Sequence, residues 1–187
     1  MSFIIQLNEI ISQEFSMDKK RPALFIFDIQ ENQLIEFKDF ITSRGSELQY
    51  ITPLVRARIL KVNDKIFVKK RNELSVRDPN LDDETRNNTV NLTFRDYLTS
   101  AEKIVEGMPF QSQYQDMAQV SLEKRWSQRM GIELHDELLF DVQGVEIKAK
   151  VVNIKEIKWT SFYPNFFITL APGIIDEAPK TYVASLP

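Results

Sequence analysis

The chain has 187 residues, 43% of them hydrophobic and 27% charged, which fits one domain, or two small lobes, with a sizeable core and excludes a disordered or wholly membrane-embedded chain. A formal net charge of -3 argues against a broad surface for nucleic acid or anionic lipid, because such a surface needs a clustered positive field. With no cysteine, disulfides, thiolate nucleophiles and Cys-based zinc sites are removed together.

In chain order, Ile4, Leu7, Ile11 and Phe15 are spaced as one apolar stripe on a helix from about Phe3 to Phe15. Polar Gln6, Asn8 and Glu9 interrupt this stretch before a signal-peptide core or a membrane-spanning length accumulates. Leu24 to Ile29 is a short β-branched and aromatic run that predicts a buried strand, and Leu34, Phe37 and Ile41 predict a helix ended by Gly45. From Gln49 to Val68 the chain reads as extended, with Asn63 and Asp64 as a tight turn. Lys69 to Arg71 reads as a solvated charged loop, and the polar stretch to Thr89 as the boundary of an insertion.

Val90 to Arg95 predicts another strand, and Lys103 to Gly107 a return toward the core. Ser121 is the expected N-cap of a short helix with Leu122, Trp126 and Met130 on one face and Gly131 as its stop. Leu138 to Phe140 and Val145 to Val151 flank a turn at Gln143 and Gly144, the second run alternating apolar and charged residues as a half-buried strand does. Strand, helix, strand and hairpin in this order predict an α+β fold, a split sandwich with a β-α-β core lobe.

Chemistry is sparse. His135 is the one histidine, it stands in a turn beside Asp136, and no Gly-x-Ser-x-Gly elbow supplies a nucleophile for it. Glu133, His135, Asp136, Glu137 and Asp141 suggest a metal cluster only until strand alternation sends neighbours to opposite faces. The five glycines form neither a dinucleotide fingerprint nor a Walker loop. No cofactor or metal is expected. Trp159, Phe162, Tyr163, Phe166 and Phe167 form the richest aromatic cluster, read either as core or, because Pro164 and Asn165 bend the run, as a contact surface for a partner or hydrophobic cargo.

The order Ile104-Val105-Glu106-Gly107, the amphipathic run from Ser121, the turn near Asp136, the hairpin, and Ser161-Phe162-Tyr163-Pro164-Asn165-Phe166 resembles the extracytoplasmic domain of FtsX/MacB-type ABC-transporter permeases, in particular the YbbP-like branch. Phe25 to Gln30 and Leu54 to Arg58 extend the likeness, while His135 stands where the family usually has Gly. The resemblance implies a MacB-like periplasmic core domain over 17–187, with 69–103 as a smaller inserted second lobe. Residues 1–16 become a stalk helix rising from a transmembrane helix through Ile4, Leu7, Ile11 and Phe15.

It further implies a domain set between two membrane helices absent from this chain, with adjacent ends, on the periplasmic side of a bacterial inner membrane. Its expected role is non-catalytic: it passes on motion driven by a separate cytoplasmic ABC ATPase and contacts a periplasmic esterase, a lipoprotein or a lipid-like cargo. A stand-alone binding or chaperone-like domain for an apolar ligand is the alternative, and an uncharacterised carboxylate hydrolase a third.

Overall fold

The structure is a computed structural model that describes residues 24–46, 48, 50–67, 88–111, 117–159 and 163–186. Its elements are β1 (Leu24–Gln30), a 3-10 turn (Glu31–Gln33), α1 (Leu34–Ser43), β2 (Tyr50–Val62), β3 (Lys65–Ile66), β4 (Thr89–Phe94), β5 (Glu102–Gly107), β6 (Ala118–Glu123), α2 (Lys124–Met130), β7 (Glu137–Val142), β8 (Val145–Ile157), β9 (Ile168–Leu170) and β10 (Thr181–Leu186).

Six strands close into a barrel in the order β2-β4-β9-β6-β8-β7, with β7 pairing back onto β2. Two neighbouring pairs, β4 with β9 and β6 with β8, are parallel, and the other four are antiparallel. Closure satisfies both edges of each wall strand and leaves one side of every strand facing a common core. Val55, Ala57, Ile59, Leu92, Val120, Leu122, Phe140, Val151, Ile154, Ile168 and Leu170 fill that core. Each fully buried aliphatic side chain contributes about 1.5–3 kcal/mol by leaving water.

The expected α+β split into two lobes is overturned: the described chain is mostly β, organised on one barrel, with two short α-helices beside it. Lys103 to Gly107, expected only as a return toward the core, lies in strand β5, the segment from Thr181 is strand β10, and β9 has just three residues, all buried. Strands this short, or covered on both faces, carry too little alternation to be seen in sequence. Of the region 69–103 expected as an inserted lobe, 69–87 lies outside the described residues, and Thr89–Phe94 is a barrel-wall strand.

The two 13-residue strands are shared between layers. The first half of β2 leaves the barrel to pair with β10, which pairs with β1, and α1 packs on this side sheet through Phe37 and Ile41 against Ile29, Ala184 and Leu186. Leu24 in β1 stands directly opposite Leu186 in β10, so the two ends of the described chain are neighbours. The stripe Ile4, Leu7, Ile11 and Phe15 lies outside the described residues.

Several local readings hold for plain reasons. Asn63 with Asp64 and Gln143 with Gly144 have positive φ at both central positions, the two-residue hairpin turn whose twist matches its strands. Gly45 and Gly131 end α1 and α2 at φ 74° and 70°. Two readings fail. Ser121 lies within β6; the cap of α2 is Glu123, whose Oε2 accepts from the Trp126 backbone N–H at 2.7 Å. β1 is not a buried strand: only Ile29 is buried in it, Phe27 is 62% exposed, and Asp28 at φ 61° marks a bulge.

Candidate functional site

The linker from β8 to β9 carries the aromatic cluster, and the structure sorts its rings. Phe166 is buried, whereas Trp159 and Phe167 stay 44% and 40% exposed. Phe167 packs between Trp159, at 4.9 Å between ring centroids, and Trp126 of α2, at 6.4 Å and nearly parallel. The Glu123 backbone N–H donates to the Phe167 carbonyl at 2.8 Å, which pins the end of this linker to the strand leading into α2. Phe162 lies outside the described residues.

Tyr163 is held from two sides. Its ring lies 4.0 Å from that of Tyr50, and its hydroxyl oxygen accepts from Tyr50 at 2.7 Å and from Ser100 at 2.8 Å. The Ser100 bond first, and then the Tyr50 bond, hold the Tyr163 phenol below the usual tyrosine range; Tyr50, as donor to Tyr163, is held above it.

These rings form one wall of a groove of about 520 Å³, within the size range of ligand sites. Phe25 and Phe27 of β1, Thr89 to Asn91 of β4 and the charged Arg129 of α2 also line the groove. Trp159, Tyr163, Phe166 and Phe167 are thus brought together. Phe25, Phe27, Trp126 and Arg129 join them without having been singled out as site residues. Phe25 and Phe27 stand two apart and so share a strand face, a signal present in the sequence that the reading as a buried strand concealed.

The acidic stretch near His135 has local structural work. Asp136 accepts from the Glu133 N–H at 2.8 Å and from the Asn63 amide at 2.7 Å, tying this turn to the β2–β3 hairpin. Asp141 accepts from the Arg58 guanidinium and from the Gly144 N–H at 2.6 Å, and the Arg58 bonds hold its carboxyl below the usual range. His135 has φ 73° and donates its N–H to Val151, a left-handed turn position as its place in the sequence suggested. Among the described residues no group of three or more His, Asp or Glu is placed to hold a metal ion.

A second polar site was not anticipated. The segment from Arg95 to Phe110 crosses the outer face of the barrel wall, its Met108 N–H donating to Val152 and the Asn153 amide donating to Met108. Beneath it the Lys155 ammonium, 1% exposed, donates to Glu102 at 2.7 Å and to the Thr169 hydroxyl at 2.6 Å, and Arg95 donates to the same Glu102 oxygen at 2.7 Å. Burial pushes Lys155 down to about 8 against the pull of Glu102. Burial would raise Glu102, but Lys155 and then Arg95 outweigh it and hold the carboxyl low. Strand alternation in β8 breaks from Val152 to Lys155 because its register against β6 shifts by one residue there and the strap covers the second face, which is why a buried lysine was not legible.

No family model matches the chain. Over 165 residues it is 28% identical to the uncharacterized ABC transporter permease YbbP of Escherichia coli (strain K12), a match covering 88% of this chain and 18% of that protein. Among the described residues no helix is long and apolar enough to cross a membrane. The likeness to an ABC-transporter permease read from the motifs is thus found in sequence too: the chain is similar to a stretch of such a permease and spans less than a fifth of that relative's length.

Proposed function

We propose that this chain is the non-catalytic extracytoplasmic domain of an ABC-transporter permease of FtsX/MacB type, set between two membrane helices on the periplasmic side. It passes motion driven by a cytoplasmic ATPase subunit to a partner protein or hydrophobic cargo held at the aromatic groove. The observation that carries this reading is the pairing of Leu24 with Leu186. The two ends of the described chain leave the side sheet next to each other, which suits a domain inserted between neighbouring helices, because the sheet passes a displacement of either helix through β2 into the barrel. The 28% identity to YbbP supports the permease assignment, and the stripe Ile4, Leu7, Ile11 and Phe15 fits a stalk.

The groove supports the contact role. Phe27, Trp159 and Phe167 are large rings left in water although a closed barrel core lies within reach, and an exposed apolar patch rimmed by polar groups marks an interaction surface. The test uses the full-length permease with a photo-crosslinking residue at position 27 or 159. Expected is ATP-dependent capture of a protein or lipid-like molecule, lost in Trp159→Ala/Phe167→Ala with ATPase activity and barrel fold retained. Crosslinking that ATP leaves unchanged, or capture unaffected by the double variant, would overturn the groove's part in transport.

A further inference from the structure

Four residues on adjacent strands form one row across the outer face of the barrel: Thr93 in β4 stands opposite Thr169 in β9, Thr169 opposite Ser121 in β6, and Ser121 opposite Asn153 in β8. All four are at most 2% exposed. Their sequence neighbours Leu92, Leu122, Ile154 and Ile168 point the other way, into the barrel core. The row is therefore a polar layer sealed between the wall and the strap from Arg95 to Phe110. Such a layer has to be satisfied from within, since each unmet buried polar group costs free energy.

The Thr169 hydroxyl is engaged by Lys155. Among the described residues the hydroxyls of Thr93 and Ser121 and the Asn153 side-chain oxygen have no partner, although the Asn153 amide nitrogen is fixed on Met108; of these, Ser121 and Asn153 face the cavity beside Lys155. Lys155 uses two of its three ammonium hydrogens, on Glu102 and Thr169. Ser121, Asn153, Lys155 and Thr169 all line one small cavity of about 30 Å³, which Asp96, Tyr97 and Phe110 of the strap also border. That volume exceeds the ~10–15 Å³ a water needs, and this polar lining supplies the partners a buried water requires.

We propose that this cavity is the binding site of one ordered water, which accepts the third ammonium hydrogen of Lys155 and donates to the Asn153 side-chain oxygen and the Ser121 hydroxyl. The unmet capacities of Lys155, Asn153 and Ser121 in this cavity are one donor, one acceptor and one hydroxyl that can serve as either, the complement of a single water molecule. The buried Lys155 ammonium disfavours an inorganic cation there, and Asp96, which also borders the cavity, is exposed to water. An apolar ligand would leave Ser121 and Asn153 unmet. The water then joins the strap's anchor, the Glu102–Lys155–Arg95 cluster, to the central strands β6 and β8.

The test is a crystal structure of this chain at about 1.2 Å, with ammonium-detected NMR of Lys155 in the same protein below pH 8. Expected are one water peak within hydrogen-bond distance of the Lys155 Nζ, the Asn153 Oδ1 and the Ser121 Oγ, and a cross-peak from the Lys155 ammonium to a long-lived water. Ser121→Ala/Asn153→Leu should lose both signals while keeping the Lys155–Glu102 bond. A dry or collapsed cavity, density that refines as an ion, or a cross-peak that persists in the double variant would each overturn the proposal. Should that variant not fold, the unmodified protein decides the matter alone.

Discussion

The hydroxyls of Tyr50 and Tyr163 meet at 2.7 Å across 113 residues of sequence, and this bond joins the side-sheet end of β2 to the middle of the aromatic linker. Ser100 adds a second bond to the same Tyr163 oxygen from the start of the strap. One phenol thus fastens three otherwise separate segments beside the groove. Tyr163→Phe removes both bonds while keeping the ring, and Tyr50→Phe removes one. Amide hydrogen exchange from Tyr163 to Phe167 should quicken in both variants, more in the first, with β6 and β8 amides unchanged. Equal exchange in all three proteins would show that ring packing alone positions the linker.

Gly107 closes the Ile-Val-Glu-Gly motif, and the structure supplies the reason for a glycine. It has φ 80°, and an added Cβ would stand 2.2 Å from the Val152 carbonyl oxygen and 2.9 Å from the Asn153 Cα. Both are backbone atoms of the paired strand β8 and cannot move aside cheaply. Gly45 has a similar φ of 74° but open space around the same position. Gly45→Ala should therefore cost about 1–2 kcal/mol, the left-handed penalty alone, and Gly107→Ala clearly more, measured by urea unfolding. Equal costs would mean that β5 lifts from β8 without loss.

That glycine shows how the sequence was legible and where it stopped being so. Punctuation by Gly45, Gly131 and the two positive-φ hairpins could be read, because turn geometry limits which residues serve. So could the alternation of Val145 to Val151, one face wet and the other in the core. Barrel closure could not, since it depends on β2 pairing with β4 and β7 together, and on β9, three residues with no wet face. The aromatic rings were found as a group, but their sorting into buried Phe166 and outward Trp159 and Phe167 follows from tertiary neighbours such as Trp126. Lys155 was hidden for a related reason: its strap partner Glu102 is 53 residues away in sequence.

Trp126 and Trp159 offer a contrast on that sorting. Trp126 is 4% exposed and belongs to the barrel-core cluster, whereas Trp159 touches Phe167 and is open to water. Trp126→Ala should destabilise by about 3–5 kcal/mol, as large-to-small changes in a core do. Trp159→Ala should leave stability within about 1 kcal/mol. Chemical denaturation of both variants decides it, and a Trp126→Ala cost below about 1 kcal/mol would remove that ring from the core's support.

Lys155 carries a pH signature whose sign is fixed by its burial. In the unfolded chain it titrates near 10.5, and in the folded protein near 8. Below about pH 8 both states hold the proton, and above about 10.5 neither does. Between these values the unfolded chain binds more protons, so this group's contribution to stability rises with pH across the window. Glu102 acts at the other end: its folded pKa lies below 4.5, so the stability it brings is present above that value and is lost as pH falls through the folded pKa. Lys155→Met removes the alkaline term, and the stability difference between wild type and this variant should therefore grow in favour of wild type from pH 8 to 10.5. Comparing the two in parallel urea titrations cancels the exposed lysines and tyrosines common to both. A difference that stays flat across the window would mean that the ammonium is as well solvated beneath the strap as in water.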